Sequence, residues 1–307
     1  VTALDDSAVA RLRAAIREPD LSRTKYRLAG VAGMGGMGTV YVVEDAELQR
    51  RVALKVLDVP DAGIEARLRR EAQVLARLEH PGIVPVHDVG ALPDGRAFYT
   101  MKLVRGDRLD RYLTGAIQIA ERLRLFLRVA DAVAFAHARG VLHRDLKPEN
   151  VMVGAFGEVL VMDWGLAKVL GDAVEVASAR STGESAVLGT PGFMSPEQQA
   201  GESAGVDLRT DVYSLGALLQ WMASAQAPPA LQAICRKAMA ERREDRYPDV
   251  PALKADVTRF VDGAAVSAYS ETILHRVMRL AKRHRVALGI VVAYLACRAL
   301  IALFTGR

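Results

Sequence analysis

The spacing of apolar residues changes character once along this chain, near Gly106, and that change limits the folds open to it. Upstream, residues 40–43 and 51–57 are β-branched or apolar runs joined by a polar turn, the pattern of paired strands. One helical pattern interrupts them at 67–78, with Leu68, Leu75 and Leu78 on one face and charges on the other. Downstream, helical spacing dominates over 119–137, 211–223, 230–239 and 251–261. A strand-rich part followed by a helix-rich part predicts an α+β molecule of two lobes with a cleft between them.

Composition narrows the class further. With 307 residues, 51% hydrophobic and 25% charged, the chain can bury one large or two small cores, which excludes wholesale disorder. Two cysteines, Cys235 and Cys297, cannot form a disulfide framework, and no spacing typical of a structural zinc site occurs. The net charge of +5 is carried by the tail: after Glu271 come seven basic residues and no acidic one, so residues 1–271 carry −2. A nucleic-acid-binding body is therefore not expected.

The two ends read differently from the middle. Leu4, Ala8, Leu12, Ala15 and Ile16 recur at helical spacing before Pro19, which predicts a short N-terminal helix and no secretory signal. Residues 286–304 are nineteen in a row and apolar apart from Tyr294, Cys297 and Arg298, behind a flank with five basic residues in ten. That is the length and flank of a single membrane span with the body on the cytoplasmic side. Arg298 favours the rival reading, an amphipathic or buried helix.

Several polar residues stand out by position. Gly33, Gly35 and Gly38 have G-x-G-x-x-G spacing, and the residues after them favour a strand, which suits a hairpin whose backbone N–H groups approach phosphates. Lys55 sits in the middle of an apolar strand, where an ammonium needs a compensating partner. Glu71, on the face shared with Leu68 and Leu75, could supply it; the plainer alternative is two surface charges.

The stretch His143-Arg-Asp-Leu-Lys-Pro-Glu-Asn150, followed by Met162-Asp-Trp-Gly165, resembles the eukaryotic-like serine/threonine protein kinases, most closely the membrane-associated bacterial ones. Gly189-Thr-Pro-Gly-Phe-Met-Ser-Pro-Glu197 and Asp211-Val-Tyr-Ser-Leu-Gly216 resemble two further segments of that family, in the family's order. The resemblance implies the bilobal protein kinase fold, with a small β-rich N-lobe carrying one regulatory helix and a mostly α-helical C-lobe. It implies a kinase domain over 26–262, with N-lobe 26–101 and C-lobe 105–262. A helical extension at 1–25, a basic linker at 263–285 and the hydrophobic helix at 286–304 would flank it.

Carried over position by position, the resemblance implies that Asp145 accepts the proton of a substrate hydroxyl while Lys147 approaches the γ-phosphate of ATP. Asn150 and Asp163 would bind Mg²⁺, Lys55 would hold the α/β-phosphates with Glu71 behind it, and Gly33, Gly35 and Gly38 would form the lid. Val40, Ala53 and Met152 would sandwich the adenine, with Met101 as gatekeeper and the backbone of Lys102 and Val104 as hinge. Glu197 and Arg246 would form a buried ion pair, and Asp211 would hold the catalytic loop. Arg144 would dock a phosphate placed by autophosphorylation on Thr182, with a homodimer allowing transfer in trans.

The chain also departs from the family. Trp164 stands where the family has phenylalanine, and about thirty residues of the large lobe, including a docking helix, are missing after Ala223. That deletion predicts exposed apolar surface on the preceding helix. Three functions remain open on these grounds: an ATP-dependent kinase of protein Ser/Thr residues anchored at the bacterial inner membrane, a nucleotide-binding scaffold without efficient transfer, and a small-molecule phosphotransferase.

Overall fold

The computed structural model describes residues 18–35, 38–60, 69, 72–115, 117–164, 192–201, 206–223, 227–270, 289–290 and 292–298. Five antiparallel strands form the first sheet: β1 (Tyr26–Gly35), β2 (Gly38–Asp45), β3 (Arg50–Pro60), β4 (Val86–Ala91) and β5 (Arg96–Lys102), in the order β1-β2-β3-β5-β4. Period-2 alternation gives this sheet two different faces. Val52, Leu54 and Val56 of β3 join Tyr41, Val43 and Phe98 in a small core closed by Leu21 and Tyr26. The alternate residues Ala53 and Leu57, with Tyr99 and Met101 of β5, face the main core shared with the helices. Lys55 lies on that second face, directly opposite Val40 on one neighbour and Tyr99 on the other.

Gly38 is required by close approach. It has φ +145°, and a Cβ there would lie 2.1 Å from the carbonyl oxygen of Val56, so any side chain would push β2 off β3. Gly33 has open space around it.

The second sheet, β6 (Gly106–Arg108), β7 (Val151–Gly154) and β8 (Val159–Val161), frames the floor of the cleft. The connection before β4 joins the lobes: Val84 N–H donates to the Val161 carbonyl, and Val161 N–H donates to Gly82. After the short α1 (Leu109–Tyr112) comes α2 (Ile119–His137), which buries Leu123, Phe126, Val129, Val133 and Ala136 at helical spacing. The helices α3 (Pro196–Gln199), α4 (Leu208–Ala223), α5 (Pro229–Ala238) and α6 (Val250–Val261) follow. The segments 119–137, 211–223, 230–239 and 251–261 match α2, α4, α5 and α6 to within three residues, and 40–43 and 51–57 lie inside β2 and β3. The short α3 and the sheet β6-β7-β8 fall in the part where helical spacing dominates and are not among the predicted segments. At 67–78 the described residues 72–75 are helical and 76–77 turn, so the helix stops before Leu78. The predicted N-terminal helix lies outside the described residues.

The expected apolar exposure on the helix ending at Ala223 is limited to two residues. Leu215, Leu218, Leu219 and Met222 are buried, and of the large apolar residues on α4 only Leu208 and Trp221 are exposed. The reason is packing: α2 and α5 cover α4, and Arg122 Nη1 donates to the Met222 carbonyl at its C-terminal end. Gly216 permits the α5 contact, since a Cβ there would lie 2.6 Å from the Ala238 Cβ.

At the C-terminus, residues 289–290 and 292–298 are helical, with Ile290, Val292, Tyr294 and Leu295 exposed. Among the described residues no helix is long and apolar enough to cross a membrane. The remainder of 286–304 lies outside them.

Candidate active site

The loop from His143 to Asn150 is held from below by one carboxylate. Asp211, fully buried in the first turn of α4, accepts from the backbone N–H groups of His143 (2.7 Å) and Arg144 (2.8 Å) and from His137 Nε2 (2.7 Å). Burial pushes this carboxyl up, and the His137 contact and loop N–H groups more than offset it, so it stays below the ordinary range. Arg144 adopts φ +66°, a left-handed conformation that these bonds hold in place.

The next residue shows which tautomer the loop selects. Asp145 N–H donates to His143 Nδ1 at 3.3 Å, so Nδ1 is an acceptor and Nε2 carries the proton it gives to the Met162 carbonyl at 2.9 Å. Burial lowers the pKa of His143, in keeping with the neutral ring. The ring packs against Trp164 with centroids 4.8 Å apart, and the Trp164 indole N–H donates to the Val161 carbonyl at 3.0 Å.

Three side chains of the loop converge. Lys147 Nζ lies 2.8 Å from Asp145 Oδ2 and 3.1 Å from Oδ1. Asn150 Nδ2 donates to the Asp145 carbonyl (2.7 Å) and to its Oδ2 (3.0 Å), which leaves the amide oxygen as the group it can offer a cation.

Beside this loop, where Met162 N–H donates to the Asn150 carbonyl, Asp163 also has a positive φ, +55°, and its Oδ1 accepts from Lys55 Nζ at 2.9 Å and from Tyr99 Oη at 3.1 Å. Burial raises this carboxyl, and the Lys55 ammonium leads the groups, the Tyr99 hydroxyl among them, that together bring it below the ordinary range and keep it ionised. Lys55, placed in the sheet, thus meets Asp163 at the start of the following segment, 108 residues on.

Of the other sequence candidates, Ala53 and Met101 face each other across β3 and β5. Val40 and Met152 are partly buried, Val40 against the main core and Met152 opposite Leu160 in the lower sheet. Lys102 ends β5, with its N–H donated to Pro85, and Val104 lies in the link to β6. Gly33 and Gly35 close the β1 side of the glycine hairpin, Gly38 the β2 side. Glu71 and Thr182 lie outside the described residues. Glu197 and Arg246 meet in a buried ion pair.

Four side chains that sequence reasoning passed over complete the site: Tyr99, His137, Thr210 and Gln198. Thr210 Oγ1 donates to Glu197 Oε1 at 2.9 Å, and Gln198 Nε2 donates to the Arg144 carbonyl at 2.6 Å. Only Gln198 carries a local signal, since Ser195 precedes it by three in a helix-capping pattern. Tyr99 looks like core in an apolar strand.

Among the described residues no group of three or more His, Cys, Asp or Glu forms a cage. Two oxygen donors, Asp163 and Asn150, suit Mg²⁺, which keeps several waters and takes its remaining ligands from phosphate oxygens.

A glycine hairpin, a strand lysine paired to one carboxylate, and a second carboxylate bracketed by lysine and asparagine define a site for phosphoryl transfer between two lobes. Residues 26–292 match the protein kinase domain family, and this chain belongs to it. It is 36% identical over 235 residues to the serine/threonine-protein kinase PknD of Protochlamydia amoebophila, covering 66% of this chain and 23% of that protein. It is 34% identical over 281 residues to PknB of Mycolicibacterium smegmatis, covering 80% of this chain and 44% of that protein. The chain thus spans less than half the length of these curated relatives.

Proposed function

We propose that this protein is an ATP-dependent serine/threonine protein kinase. The observation that carries the reading is that Lys55 of β3 reaches Asp163 just after β8, while Asp145, Lys147 and Asn150 converge in the loop to which the neighbouring Met162 is bonded. Lys55 holds the α/β-phosphates, and Asp145 orients a Ser or Thr hydroxyl and takes its proton. The hydroxyl oxygen bonds to the γ-phosphorus as the bond to the ADP oxygen breaks, and Lys147 steadies the charge on the moving phosphoryl. Asp163 and Asn150 would hold Mg²⁺, which when bound would supply charge neutralisation for the phosphate oxygens. Val40, Ala53 and Met152 enclose the adenine beside Met101, with hinge backbone at Lys102 and Val104, under a lid of Gly33, Gly35 and Gly38.

Regulation and placement complete the proposal. Arg144, whose buried Nε has no hydrogen-bond partner among the described residues, docks the phosphate carried by Thr182 after autophosphorylation in a homodimer. Glu71 braces Lys55; the lobe continues past 262, since Val266 is buried in the core and Ser267 and Ala268 bond Asp256, and 286–304 anchors the chain in the bacterial inner membrane behind a basic flank. Incubation of the protein with γ-labelled ATP·Mg²⁺ and a generic basic protein, followed by phosphoamino-acid analysis and site mapping, tests the reading. Label on Ser or Thr that is lost in Asp145→Asn supports it. No label on either protein would leave a nucleotide-binding scaffold, and label only on a metabolite a small-molecule phosphotransferase.

A further inference from the structure

Among the described residues, Tyr99 is the one buried polar side chain on the cleft face of the sheet that the scheme above does not use. It is 1% exposed, stands directly opposite Lys55 in the β3–β5 register, and lies two residues before Met101 on the same face of β5. A phenol so enclosed must find an acceptor, and it donates to Asp163 Oδ1 at 3.1 Å. The Lys55 ammonium, 5.9 Å from the Tyr99 ring centre, donates to the same oxygen at 2.9 Å. Oδ1 is thus held from two directions, and Oδ2 accepts no hydrogen bond from the described residues.

We propose that Tyr99 is a positioning residue for the metal-binding carboxylate: with Lys55 it pins Oδ1 of Asp163 and so presents Oδ2 to the divalent cation. Two donors on one oxygen fix the plane of the carboxylate, whereas a single flexible lysine chain leaves it free to turn. The need is greater because Asp163 holds a left-handed backbone conformation, which only its surroundings maintain. A ligand already aimed loses less freedom when the cation arrives. The inference rests on the kinase reading, since it takes Asp163 as a metal ligand.

The test uses the full chain, Mn²⁺ as a paramagnetic probe of the divalent site, and Tyr99→Phe, which keeps the ring and removes only the hydroxyl. In the presence of ADP, Mn²⁺ titrations followed by electron paramagnetic resonance are expected to show about five- to tenfold weaker cation binding in the variant. ADP affinity in EDTA stays within about twofold of wild type, because the hydroxyl acts on the carboxylate and not on the nucleotide. Mn²⁺ affinity unchanged, or cation and metal-free ADP binding weakened together, makes Tyr99 a packing residue and overturns the proposal. If wild type binds ADP but no Mn²⁺ with it, Asp163 is not a metal ligand and both readings fall; a wild-type site with an unaffected variant removes only this one.

Discussion

Glu197 and Arg246 meet through two parallel hydrogen bonds, Nη1 to Oε1 at 2.8 Å and Nη2 to Oε2 at 2.9 Å, with side-chain exposures of 5% and 0%. Arg246 also donates to the carbonyls of Ala240, Glu241 and Arg209, so one guanidinium ties α3, the start of α4 and the turn after α5 together. Removing either partner strands a buried charge. Glu197→Ala is expected to cost about 3–5 kcal/mol in chemical unfolding. The double variant Glu197→Leu/Arg246→Met should recover part of that loss and not all, because the carbonyls of Ala240, Glu241 and Arg209 lose the guanidinium donors.

The same pair sets an acid limit. Burial pushes the Glu197 carboxyl up, but the Arg246 hydrogen bonds lead the groups, with its backbone bond and Thr210, that together hold it at about 2, below its ordinary 4.5. A depressed carboxyl contributes stability that is fully present above about pH 4.5 and is lost as pH falls through about 2. Urea unfolding between these values should therefore show wild-type stability falling with acid. Glu197→Gln, starting lower, should show a shallower fall.

Asp256 organises the end of the large lobe. Fully buried on α6, it accepts from Tyr247 Oη (2.9 Å), Ser267 N–H (2.8 Å) and Oγ (2.7 Å), Ala268 N–H (3.1 Å) and Arg259 Nη1 (2.9 Å). Burial raises its carboxyl, and the Ser267 bonds lead the groups that bring it below the ordinary range. Asp256→Ala orphans these donors and is expected to cost about 2–4 kcal/mol. Limited proteolysis should then cut after Asp262 sooner than in wild type.

Trp164→Phe tests the departure next to Asp163. The Val161 carbonyl that the indole engages also accepts from Val84 N–H, so losing the indole donor leaves no orphan acceptor. Thermal unfolding should show a loss of about 0.5–1.5 kcal/mol, with phosphotransfer retained.

What could be read from the sequence follows from how local each feature is. The helices 119–137 and 251–261 were legible because a buried stripe repeats along each segment. The loop from His143 to Asn150 was legible because Asp145, Lys147 and Asn150 meet within it. Tyr99 was not, since its partner Asp163 lies 64 residues on and the strand around it is apolar throughout. Asp256 reads as an ordinary helix-surface acid until Ser267 folds back over it. The burial of α4 depended on how closely α5 packs at Gly216, which no single helix pattern encodes.

The central claim is that Asp145 aims the acceptor hydroxyl while nucleotide is held by other residues. Rapid-quench single-turnover transfer from ATP·Mg²⁺, with ADP·Mg²⁺ affinity measured on the same preparations, addresses it most directly. Asp145→Asn is predicted to lower the transfer rate by about a hundredfold or more, with ADP affinity within about threefold of wild type. Transfer at the wild-type rate in that variant would contradict the account.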